Sequence, residues 1–323
     1  MKTLLKVLLI LLLVVVVCAI AGVGYLYARY PDVPDPENIT VQATPEKIAR
    51  GQYLANHVSG CVICHAERDM TKYGGPVKPE TYGAGGEFFG DLDQGFAVYS
   101  KNITPAAIGA WTDGQLIRAF TAGVNADGEP LFPIMPYPKY ARMSREDVES
   151  IVAYIRTLKP VHSTIPERQL PFPLPLIVRT MPKAAEFRAM PAKTDKVAYG
   201  EYLTNAAVCA DCHTPTDDMG QPLPGRDFSG GQEFKLPNGA VVRPANITPD
   251  ADTGIGTWSE QQFIDKFKAW RSTDARVLNE AEQRQNTIMP WMYYAGMTDE
   301  DLAAIYTYLR SLKPVVNRVT KFN

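Results

Sequence analysis

The chain opens on an unbroken apolar stretch. Val7 to Ala28 carries no charge and is mostly Leu, Val and Ala. As a helix its 22 positions span about 33 Å, enough for a hydrocarbon core of about 30 Å. Lys2 and Lys6 precede the run, and Arg29 is followed by the acidic, proline-containing stretch Pro31–Glu37. This asymmetry predicts a single N-terminal span over residues 1–30 in the cytoplasmic (inner) membrane, with the rest of the chain in the periplasm. Ala19-Ile20-Ala21 also fits a signal-peptide cleavage site. The run continues past it through Val23, Tyr25 and Leu26, which favours a retained anchor. Val17 stands before Cys18 where a lipoprotein signal wants a small residue. Tyr25, Tyr27 and Tyr30 suit an interfacial aromatic belt.

Further on, apolar residues fall at helical spacing. Val148, Ile151, Val152, Ile155 and Leu158 predict one amphipathic helix, and Leu302, Ile305, Tyr306, Leu309 and Leu312 another. Ser144-x-x-Asp147 and Thr298-x-x-Asp301 open them, and Pro160 and Pro314 are expected to stop them. Thr112 and Ser259 each have Gln three residues on, the capping-box spacing. No long alternating run predicts a sheet, so the class is mostly α.

These paired signals belong to one long repeat. Gly51-Gln-Tyr-Leu-Ala-Asn56 matches Gly200-Glu-Tyr-Leu-Thr-Asn205, and Cys61-Val-Ile-Cys-His65 matches Cys209-Ala-Asp-Cys-His213. Asn102-Ile-Thr-Pro105 matches Asn246-Ile-Thr-Pro249, Trp111 matches Trp258, and Ile134-Met-Pro-Tyr137 matches Ile288-Met-Pro-Trp291. The second copy carries about seven extra residues within Trp270–Thr287. The expected organisation is an anchor over 1–30, a linker over 31–44, a domain over 45–160, a Pro-rich linker over 161–194, a domain over 195–317 and a tail over 318–323.

Composition agrees with this division. Three hundred and twenty-three residues, 46% hydrophobic and 21% charged, describe folded protein of about two domains and exclude disorder. A formal charge of −2 argues against nucleic-acid binding. By segment the charge is +3 over 1–30, −5 over 31–158, +3 over 159–195 and −3 over 196–323. A basic connector thus joins two acidic blocks. Its prolines predict a semi-rigid, extended path, and its apolar run Leu174–Val178 predicts packing on the two domains, a partner or the membrane surface.

Four of the five Cys sit in the two C-x-x-C-H motifs. Thiols one helical turn apart can form thioethers with the two vinyl groups of one haem, and the adjacent His falls under its iron. Cys61 and Cys64, and Cys209 and Cys212, are therefore read as attachment sites for two covalent haem c groups, with His65 and His213 as proximal ligands. Met135 and Met289, duplicated within Ile-Met-Pro, are expected as distal thioether ligands. Met143, Met292 and Met297 compete with them. His57, which has Ala206 as its counterpart, reads as a surface or propionate-side residue, and His162 as solvated. Asn102, Thr104, Asn246 and Thr248 match glycosylation sequons. Their duplication instead predicts a structural loop that, with Trp111 and Trp258, neighbours the haem propionates.

The succession C-x-x-C-H, N-I-T-P, W-[ST]-x-x-Q, M-P-[YW] and a closing amphipathic helix, over about residues 45–317, resembles the multihaem cytochrome c subunits of membrane-bound bacterial dehydrogenases, those of alcohol and gluconate dehydrogenases above all. The resemblance implies tandem class I cytochrome c domains. It also implies a non-catalytic subunit that accepts electrons from a catalytic partner and passes them to quinone or a terminal acceptor. For this chain the expected role is a respiratory-chain relay from a dehydrogenase or quinol-oxidising complex to an oxidase or soluble cytochrome. Relatives of this kind often hold three haem domains, where this chain has two. Two six-coordinate irons suit electron transfer. A dihaem peroxidase or thiosulfate-type dehydrogenase would need one displaceable distal ligand, which the matched Met-Pro pairs do not indicate.

Overall fold

A computed structural model describes residues 1–92, 95–217, 220–236, 238–271 and 275–322. Residues 272–274 of the extra segment and Asn323 of the tail lie outside them. Helix α1, Lys2–Arg29, buries none of its side chains and is long and apolar enough to cross a membrane. An extended strap follows. It is tied down by the Val41 N–H, which donates to the Asp113 carboxylate at 2.8 Å, and by a bidentate pair between Arg145 and Glu37.

The first half then runs through α2, Pro45–Tyr53; a π-helical turn, Leu54–Val58; α3, Cys61–Cys64; the hairpin β1, Phe88–Asp91, and β2, Phe96–Tyr99; α4, Pro105–Ile108; α5, Asp113–Ala122; α6, Tyr137–Tyr140; and α7, Arg145–Ile155. The connector contributes α8, Leu174–Arg179. The second half repeats the plan with α9, Lys196–Ala206; α10, Cys209–His213; a two-residue hairpin of β3, Phe234–Lys235, and β4, Val241–Val242; α11, Glu260–Lys268; α12, Glu280–Gln283; α13, Trp291–Tyr294; and α14, Asp299–Ser311.

Local chemistry accounts for the helix starts. Both expected capping boxes form, Thr112 with Gln115 and Ser259 with Gln262, and Ser144 and Thr298 cap α7 and α14. Helix α7 ends at Ile155, five residues before Pro160. The N–H groups of Thr157 and Leu158 turn to carbonyls three residues back, which tightens the last turn and closes the helix early. In each half the first long helix crosses the last at a glycine: a Cβ on Gly51 would run into the Ser150 carbonyl, and one on Gly200 into that of Ala304. The Gly-x-Tyr-Leu motif therefore marks the closest approach of α2 to α7 and of α9 to α14.

The halves share one hydrophobic cluster, in which Leu54, Met143 and Ile151 join Leu203, Met297 and Leu302. Truncating such a buried leucine to alanine costs about 2–5 kcal/mol. A reciprocal exchange crosses the centre. The Tyr53 hydroxyl donates to Asp301 at 2.5 Å and accepts from the Thr298 N–H at 3.1 Å. Its repeat mate Tyr202 donates to Asp147 at 2.6 Å and accepts from the Ser144 N–H at 3.1 Å.

The extra segment of the second half seats the 68–78 loop of the first. Asn286, 1% exposed, donates to the Met70 and Lys72 carbonyls and accepts from the Gly74 N–H. Tyr73 stacks on Trp270 at 4.6 Å. The connector follows the first half through Gln169 beside Ala97, Arg168 on the Pro130 carbonyl and Phe187 under Arg145. It reaches the second half where Lys193 lies over Tyr199.

Candidate functional site

The two C-x-x-C-H motifs are built alike. The residue before the first Cys turns left-handed, Gly60 at φ 64° and Val208 at φ 50°. The one-turn helices α3 and α10 then bring Cys61 and Cys64, and Cys209 and Cys212, onto single turns. No disulfide joins them. Cys64 is exposed while Cys61, Cys209 and Cys212 are half-buried, yet surrounding protein pushes the Cys61, Cys209 and Cys212 thiols up to about 12.

Each histidine is oriented by one carbonyl. His65 Nδ1 lies 2.6 Å from the Lys101 oxygen and His213 Nδ1 2.7 Å from the Ala245 oxygen. A carbonyl only accepts, so Nδ1 carries the proton and Nε2 keeps its lone pair. Burial lowers the pKa of both rings, with the carbonyl bond opposing it, which keeps them neutral. This is how a protein presents an imidazole to a metal.

The Asn-Ile-Thr segment explains why those carbonyls stand where they do, since each immediately follows one. The Asn102 amide donates to Val161 O and Ser163 Oγ, and its oxygen accepts from the Thr104 N–H and hydroxyl. Asn246 and Thr248 repeat the clamp on Val315. Asn102 and Asn246 are buried and spend both amide hydrogens inside the protein. Their contribution is to lock the chain that aims His65 and His213. Among the described residues no acceptor faces the indole N–H of Trp111 or Trp258, both packed on the core.

Met135 and Met289 sit half-buried against the common core. Each is followed by a short helix tied back to its C-x-x-C-H turn: Tyr140 donates to the Ser59 carbonyl at 2.8 Å, and Tyr294 to the Ala207 carbonyl at 2.9 Å. The competing methionines are engaged elsewhere. Met143 and Met297 are 0% and 2% exposed in the core, and Met292 packs beside Gly74 of the other half. Tyr137, two residues after Met135, is 2% exposed. Its hydroxyl has no protein partner, and burial pushes its pKa up to about 12. A neutral imidazole with Nε2 free, thiols on one turn and a buried unpartnered phenol beside a thioether form a donor set that fits a covalently held haem.

The two sites adjoin. Buried Tyr140 and Tyr294 both feel the field of Cys64 and Asp211, and Lys139 pairs with Asp211 across the halves at 3.3 Å. His57, expected at the surface or beside a propionate, is half-buried there. Its Nδ1 donates to the Tyr293 carbonyl at 2.9 Å and its ring rests on Gly296. His162 is exposed, as its linker position predicts.

Residues 197–313 match the cytochrome c family. The chain is 33% identical to the fructose dehydrogenase cytochrome subunit of Gluconobacter japonicus over 82% of its own length and 52% of that protein's. It is 30% identical to the alcohol dehydrogenase (quinone) cytochrome c subunit of Gluconacetobacter polyoxogenes over 87% and 58%. It is 27% identical to a diheme cytochrome c-type protein of Cereibacter sphaeroides over 92% and 95%. The chain thus spans little more than half of each of the two dehydrogenase subunits. The family match falls within the second half, and most of the chain's length is similar to subunits named as the cytochrome c subunits of bacterial dehydrogenases. Haem c is the cofactor class that these matches support.

Proposed function

We propose that the chain is a membrane-anchored periplasmic dihaem cytochrome c. It relays electrons one at a time from a dehydrogenase or quinol-oxidising complex to an oxidase or soluble cytochrome. In this reading α1 crosses the inner membrane with Lys2 and Lys6 inside. Residues 45–160 and 195–317 are tandem class I domains. Cys61 and Cys64 hold one haem and Cys209 and Cys212 the other. His65 with Met135, and His213 with Met289, are the axial pairs, and the free indole donors of Trp111 and Trp258 serve the propionates.

The observation that carries the reading is the duplicated bond from each histidine Nδ1 to a fixed carbonyl, with Tyr140 and Tyr294 tying each Met-Pro turn to its motif. Bound haem supplies a one-electron ferric/ferrous couple, whose potential a thioether ligand raises. The chain's own residues keep each imidazole in one tautomer, hold both methionine turns against the core and set the two sites side by side. The partners are argued from the named relatives and from the acidic balance of both halves, which steers a basic carrier.

The test is spectroscopic. Haem assay of purified protein should return two haems per chain. The oxidised protein should show the weak long-wavelength band of sulfur-ligated ferric haem at an intensity for two sites. A bis-histidine site would overturn the ligand assignment, and a high-spin site would overturn it and favour a peroxidase-type enzyme.

A further inference from the structure

Beyond α1, Phe172 is the most exposed large apolar side chain among the described residues, at 81%, and Ile177 and Met181 on the same segment are 42% and 37% exposed. The segment is not a loose loop. Val178 is fully buried beneath it, and Arg179, 8% exposed, pins it to the end of α1. The Arg179 guanidinium donates to the Tyr30 carbonyl at 2.8 Å, pairs with Glu129 at 3.0 Å and lies 4.4 Å from the Tyr27 ring centre. Tyr27 and Ala28 are the last residues of the apolar run, so the latch sets α8 at the level where the hydrocarbon core would end. Arg179 and Arg168 are spent inside the protein, on Glu129 and the Pro130 carbonyl, and exposed Lys183 is the basic residue the segment leaves for anionic headgroups.

We propose that residues 170–181 are a second membrane contact. Phe172, Ile177 and Met181 enter the bilayer interface beside the outer end of α1, while Arg179 locks helix and contact into one unit. The contact would fix which face of the haem-bearing body looks down on the membrane, and so how a membrane-bound donor meets it. The proposal rests on reading α1 as a membrane span.

The experiment places a photoreactive benzoylphenylalanine at one position at a time in the full chain, held in nanodiscs of phosphatidylethanolamine and phosphatidylglycerol. The positions are Val14 within α1, Phe172, Ile177 and, as an exposed apolar control, Val316 of the second half. Lipid adducts after illumination are counted by mass. Adducts at 14, 172 and 177 with none at 316 are expected. Adducts at 14 but not at 172 or 177 overturn the proposal and leave the span intact. Absence at 14 as well overturns both. Equal adducts at 316 would mean that contact is unspecific and also overturn it.

Discussion

The two halves solve the same local problems with different residues. Before the first Cys, Gly60 takes the left-handed turn freely. Val208 takes it at φ 50°, where a β-branched side chain is strained by about 1–3 kcal/mol. One residue before the crossing glycine of the first long helix, Arg50 forms a two-point pair with Asp147, whereas its counterpart Tyr199 offers Asp301 a hydroxyl at 3.0 Å. What recurs is a set of contacts: a carbonyl on each histidine Nδ1, Tyr140 and Tyr294 on the motif turns, and Tyr53 and Tyr202 on the opposite carboxylates. His57 and Asp211 also reach the other half, and their counterparts Ala206 and Ile63 do not repeat them.

The largest effect that could break this parallel is loss of one cofactor. Replacing Cys61 and Cys64 by Ser should halve the haem per chain and leave the second half's spectrum in place. Loss of both haems would show that the halves mature only together.

Next comes the unequal treatment of matched carboxylates. Asp147→Ala takes the carboxylate from the Arg50 guanidinium and leaves the Tyr202 hydroxyl only a long bond to Ser144, and should cost about 3 kcal/mol, the low end for breaking a mostly buried pair. Asp301→Ala, the matched change, takes the acceptor from the Tyr53 and Tyr199 hydroxyls but strands no cation, and should cost about 1–2 kcal/mol. Denaturant midpoints of the two variants decide it, and equal losses would erase the contrast.

Smaller still is the turn. Gly60→Val should destabilise by about 1–3 kcal/mol, the strain already carried by Val208. Val208→Gly should stabilise by less than that, because the glycine loosens the unfolded chain by about 0.4–1 kcal/mol. Thermal melts measure both, and a destabilising Val208→Gly would show that the valine earns its place by packing.

The smallest effect is acid release of the strap that lies on the first half. The Arg145 hydrogen bond holds the Glu37 carboxyl below its ordinary 4.5. Burial alone would raise Glu149, but Lys47 and Arg145 outweigh it and lower it. Carboxyls held low in the fold contribute stability above their unfolded value, and lose it as pH falls through the folded one. Proteolysis within residues 31–44 should therefore quicken from pH 4.5 downwards. No change would place the strap's grip in Val41 and Asp113.

Much of this plan can be read from the residues themselves. The C-x-x-C-H turns, the capping boxes and the Gly-x-Tyr-Leu helices are local signals, each visible within a few positions of itself. Harder to read is whatever depends on a partner far along the chain. His57 looks like a surface histidine until Tyr293 is folded against it, 236 residues away. The extra segment near Trp270 looks like an inert insertion until Asn286 closes on Met70 and Lys72. The Asn-Ile-Thr clamp did leave a trace, its repetition beside an unremarked carbonyl. The end of α7 at Ile155 was decided by backbone groups that no side-chain pattern reports.

The exchange of Tyr53 and Tyr202 across the centre has a consequence at high dilution. A patch in which residue i meets j while j meets i marks a two-fold axis. Each half carries both a phenol and a carboxylate of that patch, so the halves meet as the protomers of a symmetric dimer do, with Arg50 on one side and Tyr199 on the other. A dimer of separate chains falls apart when dilute. Here the connector holds the second face at a high effective concentration however scarce the protein, so the pair of sites survives at a single molecule per cell.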